Sequence, residues 1–171
     1  GASELIKAAR DLHIAHDTTI PGNKKANAHA ERTNGIIQTG TRSTCARAGL
    51  PIPFWPYALE YVCLCYNVQK GFWQKRFGHA LPAPLIPFGS EVRYMPPPES
   101  RVKRAKTAER MDVGVYLGFV NHAGGLTGVD SFVCPLSELA GLNMKTGKRA
   151  DGKRPIIERS DQVESLILDL T

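Results

Sequence analysis

Apolar residues keep helical spacing as far as Val68 and lose it afterwards, and this change of period limits the possible folds more than any other feature of the 171-residue chain. On the N-terminal side, Ser3 can cap a helix in which Leu5, Ala8, Ala9 and Leu12 recur on one side, so residues 3–12 are expected to be helical. From His13 the periodicity lapses, β-branched Thr18, Thr19 and Ile20 appear, and Pro21-Gly22 closes what reads as an extended segment. A longer helix is expected over 28–48, with Ala30, Ile37, Thr41, Cys45 and Ala48 along one side and Gly49 as its stop. Gly35 and Gly40 lie inside it, each costing about 1 kcal/mol relative to alanine, which close packing or a closely approaching ligand must offset. A third helix over 54–68 carries Trp55, Leu59, Val62 and Tyr66 at helical spacing, with Pro56 suited to its first turn. Trp55, Tyr57 and Tyr61 are read as core rather than as a base-stacking platform, since aromatics at this spacing are ordinarily packed inside.

Beyond Val68 the pattern shortens. Pro82, Pro84 and Pro87 arrive with Gly71, Gly78 and Gly89, which marks 71–88 as a linker between domains at 1–70 and 89–165. Strands are expected at Glu91–Met95 and along Val113, Val115, Leu117 and Phe119, with weaker ones at Ser131–Cys134 and Pro155–Glu158. So few strand residues, with a glycine turn at Gly124-Gly125, suit a small barrel better than a sandwich.

Composition removes several classes of function. A hydrophobic share of 42% against 22% charged residues argues for a packed core over disorder. The most apolar stretch, Pro51 to Val68, is broken by Pro53, Pro56, Glu60 and Asn67, so no membrane span or signal peptide is expected, and a cytoplasmic or nuclear setting follows. Cys45, Cys63, Cys65 and Cys134 fit neither a disulfide framework nor a zinc site with the five histidines. Ten of the 22 basic residues lie in two short segments, Arg101–Arg110 and Lys145–Arg154, which makes Lys103, Arg104, Lys148 and Arg149 candidate contacts to nucleic-acid phosphate.

The most informative stretch is Pro21-Gly22-Asn23-Lys24-Lys25-Ala26-Asn27-Ala28-His29-Ala30-Glu31-Arg32. An extended segment ends in proline, a polar loop follows, and a carboxylate stands in the first turn of a helix. Such a glutamate can simply complement the positive helix N-terminus, or it can ligate a divalent metal with other carboxylates. Arg42 lies eleven residues after Glu31, about three turns along the same face, and with Arg32, Lys24 and Lys25 it is a candidate for backbone contact with DNA.

This stretch resembles the Pro…Gln-Asn-Gly…Glu-Arg segment of copia-type retrotransposon integrases. The later segments follow that family in order: Ala48-Gly49-Leu50-Pro51 with Phe54-Trp55, Arg76-Phe77-Gly78, Tyr116-Leu117-Gly118-Phe119, and Arg159-Ser160-Asp161-Gln162-Val163. The resemblance implies the C-terminal part of a ribonuclease-H-like α/β core followed by a small SH3-like β-domain. It makes Glu31 the last member of an Asp-Asp-Glu triad that binds Mg²⁺ and DNA in a homo-oligomeric parent, with no small-molecule substrate. The two catalytic aspartates are expected before Gly1, so strand transfer is not expected of this chain. The loop departs from the family, with Lys24-Lys25-Ala26-Asn27-Ala28 in place of a Gln-Asn-Gly turn. A nucleic-acid-binding module without catalysis and an inert element remnant are the alternatives. An uncovered apolar face on the N-terminal helices is a further expectation, since at most one strand accompanies them.

Overall fold

The computed structural model describes residues 2–14, 27–100, 109–122 and 127–166. The chain divides into two compact units, 1–36 and 37–171.

The first unit contains helix α1, Ala2–Asp11, and the start of helix α2, Ala28–Ala48. Both fall where the apolar spacing places them. Among the described side chains of α1 only Ala9 is buried, Leu5 is 63% exposed and Ile6 is exposed, and just past the helix end Leu12 is 69% exposed and Ile14 is exposed as well. The apolar stripe that specifies this helix therefore faces solvent, as the shortage of accompanying strands implies. The extended segment expected at 13–20 lies mostly outside the described residues.

The second unit opens with the rest of α2. A single 3-10 turn, Ile52–Phe54, leads into helix α3, Trp55–Gln69, whose Pro56 occupies the first turn where a missing N–H costs nothing. A short helix α4, Phe72–Phe77, ends on Gly78. Strands β1 (Glu91–Tyr94), β2 (Asp112–Asn121), β3 (Thr127–Pro135), β4 (Glu158–Ser160) and β5 (Val163–Ser165) form one antiparallel sheet in the order β4-β3-β2-β1-β5, with helix α5, Leu136–Leu139, following β3. The architecture is thus mixed α and β.

The closed barrel expected of the C-terminal part is, among the described residues, an open sheet with β4 and β5 at its two edges. The physical reason is α3. A barrel buries its inner face on itself, whereas here α3 lies across β2 and covers that face. Phe54 and Ala58 pack with Phe88, Val115, Leu117 and Cys134 in one cluster that joins helix to sheet. The 71–88 stretch accordingly falls inside the second unit rather than between units, and α3 belongs with the sheet.

β2 is buried on both faces from Gly114 to Val120, as a central strand should be. Val115 and Leu117 pack with Ala58 of α3, and Tyr116 joins Val92, Tyr94 and Val133 in a second cluster, with Tyr61 of α3 packed against both. The register between β2 and β3 shifts between Tyr116 and Gly118, where Gly118 takes a φ of 114° that side chains rarely adopt. After this irregularity Phe119 packs with Leu64 and Trp73 in a third cluster. Gly114 is required for a different reason. A Cβ there would lie 2.5 Å from a Val133 methyl and 2.8 Å from the Cys134 carbonyl oxygen. Tyr94, fully buried, donates its hydroxyl to Glu158 Oε2 at 2.9 Å and so ties β1 to β4 across two intervening strands. Burial first, and then this bond to the carboxylate, raises the phenol well above its ordinary range.

The two glycines of α2 differ. A Cβ at Gly40 would meet a Val62 methyl of α3 at 2.9 Å, so close helix packing accounts for that glycine, whereas Gly35 has nothing within 4 Å. The tryptophans also differ from expectation. Trp73 is the core tryptophan at 5% exposure, and Trp55, read from its spacing as core, is 50% exposed. Its neighbours Tyr57 and Tyr61 do pack against the sheet, Tyr57 edge-on to Phe132 and Tyr61 beside Phe88. No helix among the described residues is long and apolar enough to cross a membrane.

Candidate nucleic-acid interface

The basic segment Lys145–Arg154 is a tightly turned loop after α5, and its own sequence explains the turns. Asn143 Oδ1 accepts hydrogen bonds from the backbone N–H groups of Lys145 and Thr146 at 2.9 and 3.1 Å, as asparagine does at turns. The Asn143 N–H in turn donates to the Lys148 carbonyl at 2.8 Å, and the Gly147 N–H to the Asn143 carbonyl at 2.7 Å. A second turn repeats the device, with Asp151 Oδ1 accepting from the Lys153 N–H at 3.0 Å and the Arg149 N–H reaching the Lys153 carbonyl at 2.9 Å.

Arg149 joins the two turns. Its guanidinium donates to Glu138 Oε1 at 2.6 Å and to Asp151 Oδ2 at 2.5 Å. Glu138 uses its other oxygen to accept the Ile156 N–H at 2.9 Å, which anchors the far end of the loop to α5. The hydrogen bonds to Asp151 and then Glu138 raise the Arg149 pKa further, and those from Arg149 and then the Lys153 N–H hold the Asp151 carboxyl down to about 2. Arg149 was a candidate phosphate contact on charge alone, and its fork is occupied by two carboxylates. Lys145, Lys148, Lys153 and Arg154 are exposed on the same loop. Among the described residues none of the four side chains makes an ion pair, so the loop presents four cations on a hydrogen-bonded frame.

The other candidates are scattered. Glu31 stands in the first turn of α2, its N–H bonded to the Asn27 carbonyl at 2.9 Å, and is exposed, as is Arg32. Arg42 is exposed on the later part of α2. Lys24, Lys25, Lys103 and Arg104 lie outside the described residues, as do Asp17 and the Gly124-Gly125 turn. No group of three histidine, cysteine or acidic side chains able to hold a metal ion occurs among the described residues. Mg²⁺ takes near-octahedral oxygen ligands and is poorly held by one carboxylate, so the described surroundings of Glu31 do not fit that ion.

Burial raises Cys45, Cys63 and Cys65, and pushes Cys134 up to about 12, so all are thiols at neutral pH. The Glu138–Arg149–Asp151 network was missed from sequence, although Arg149 and Asp151 stand two apart in the basic run and offered a sign of it. No protein-family model, curated protein or solved structure matches the chain.

Proposed function

We propose that this chain is a piece of a copia-type integrase whose described residues serve to hold DNA by its backbone, without reading sequence. The observation that carries the DNA reading is the loop 145–154, in which Arg149 holds the frame and Lys145, Lys148, Lys153 and Arg154 stand outward. Cations on such a frame neutralise phosphates and release counterions, and they carry no pattern of donors and acceptors matched to base edges. The integrase origin rests on the ordered run of segments from Pro21 to Val163. Glu31 is the residue that run marks for catalysis, and no phosphoryl-transfer step is assigned to it without further ligands.

The test is the binding of two unrelated duplexes of equal length across a salt series. Equal affinities that fall steeply with salt are expected, with a logarithmic slope smaller by about 0.9 for each phosphate contact removed in Lys145→Gln, Lys148→Gln and Arg154→Gln. Affinity independent of salt, or unchanged in the triple variant, would remove the loop from the account. Incubation with Mg²⁺ should leave supercoiled DNA intact, and nicking abolished by Glu31→Gln would show that the chain completes a metal site after all.

A further inference from the structure

The cationic loop 145–154 is tied to the sheet by an acidic side chain. Glu138 sits on the four-residue helix α5, directly after β3, and its side chain is 14% exposed. One of its oxygens accepts from Arg149 inside the loop, and the other accepts the Ile156 N–H just beyond it. A single carboxylate thus holds the loop at its middle and at its exit. Its base is firm, because Leu139 and Leu142 before the loop and Ile157 after it pack against the cluster of Phe54, Ala58 and Leu117. A second pin carries no charge. Gly147 is buried at a φ of 62°, and a Cβ on it would lie 2.4 Å from Cγ of Pro53, in the turn that leads into α3. Lys148 stands between these two fixed points.

Two effects of Glu138 on DNA oppose each other. A carboxylate beside a phosphate-binding loop repels the duplex and keeps Arg149 from it. Against this, cations already held in place lose less freedom on meeting the fixed phosphates of a duplex than cations on a loose loop. The geometry favours the second effect. The carboxylate is largely buried, both its oxygens are taken by donors, and the Arg149 guanidinium at 2.6 Å offsets its charge, so little of that charge reaches the outer face. We propose that Glu138 is a positioning residue of the DNA-binding loop, an acid whose removal weakens the hold on DNA. The proposal rests on the DNA reading of the loop and adds a sign that charge alone reverses.

The experiment measures duplex binding across a salt series for the full chain and for Glu138→Gln and Glu138→Asp, with amide hydrogen exchange of each without DNA. Glu138→Gln keeps the size of the side chain and raises the net charge by one, whereas Glu138→Asp keeps the charge and shortens the reach. Both should bind more weakly than the wild type at every salt concentration, by about tenfold for Glu138→Gln and about threefold for Glu138→Asp. The salt slope should not change, since the same four cations still reach phosphate. The Ile156 amide should exchange faster in both variants while the β2 amides keep their protection, which separates a displaced loop from a lost fold. Should Glu138→Gln lose the β2 protection, Glu138→Asp decides. Binding by Glu138→Gln as tight as the wild type or tighter, or a slope steeper by about 0.9 as Arg149 turns to a phosphate, overturns the proposal and leaves the DNA reading standing. Unchanged binding by Glu138→Asp overturns it as well. A wild type with no salt-dependent affinity instead removes the DNA reading, and the proposal with it.

Discussion

Helix α1 and helix α3 are specified by the same kind of signal, apolar residues recurring every three to four positions, and they meet opposite fates. α3 lays Tyr57, Ala58 and Tyr61 on a five-stranded sheet, in a cluster with Phe88, Val115, Leu117 and Cys134, while Val62 of the stripe read from its spacing meets α2 and Trp55 is half exposed. α1 has a clear stripe of its own and leaves Leu5 and Ile6 exposed, with Leu12 exposed just past its end. Periodicity thus fixes that a helix forms, and it does not say which side will be covered or by what. The second unit supplies a cover because β2 is a long central strand whose two faces must both be buried. The comparison extends to glycine, since Gly40 is held against Val62 and Gly35 touches nothing.

The largest expected effect separates the two regions outright. Leu117→Ala should cost about 3 kcal/mol in equilibrium unfolding, through lost burial and a cavity beneath α3. Leu5→Ala should stay within about 0.5 kcal/mol, as surface substitutions do. Equal losses would mean that α1 is part of the same core. Next, Tyr94→Phe removes the hydroxyl that joins β1 to Glu158 and should cost about 1.5 kcal/mol in the same assay. Within α2, Gly35→Ala should raise stability by up to about 1 kcal/mol from helix propensity alone. Gly40→Ala should lower it, because its methyl must displace Val62. A gain at both positions would contradict the close packing of α2 on α3.

The smallest effect concerns the loop. Asp151 titrates at about 2 in the folded chain, below the value of about 3.9 for an unfolded aspartate. A depressed carboxylate contributes above its unfolded pKa and loses that contribution as pH falls through its folded one, so the Arg149 clasp should persist to about pH 2. Carbon-detected NMR of the Asp151 carboxyl should place its midpoint there, and Arg149→Gln should move the midpoint upward. A wild-type midpoint near 4 would show the clasp open in solution.

The three long helices and strands β1 and β2 were legible because each repeats its period for several residues, and β3 was foreseen only weakly, over 131–134 of its 127–135. The helices expected over 28–48 and 54–68 correspond to α2 and α3 almost residue for residue. Two edge strands were not legible for a physical reason. β4 and β5 have three residues each, Glu-Arg-Ser and Val-Glu-Ser, too short and too polar for alternation to register, and the weaker expectation at 155–158 overlaps β4 only at Glu158. α4 escaped notice because six residues between two glycines show less than two turns of any pattern. Helical spacing could not separate Trp55 from Trp73, since it reports a side of the helix and not whether a neighbour reaches it. In the basic loop, charge located the segment correctly, but which cation would be bound by carboxylates depended on a fold that brings Glu138 beside Arg149.

Amide hydrogen exchange of the whole chain with and without a nonspecific duplex tests the central claim most directly, because it reads both regions at once. Exchange should slow over residues 143–154 on adding DNA, with α1 unchanged, and the slowing should be reversed by raising the salt. Protection confined to α1 and the first turns of α2, with none in the loop, would contradict the assignment of DNA binding to the second unit.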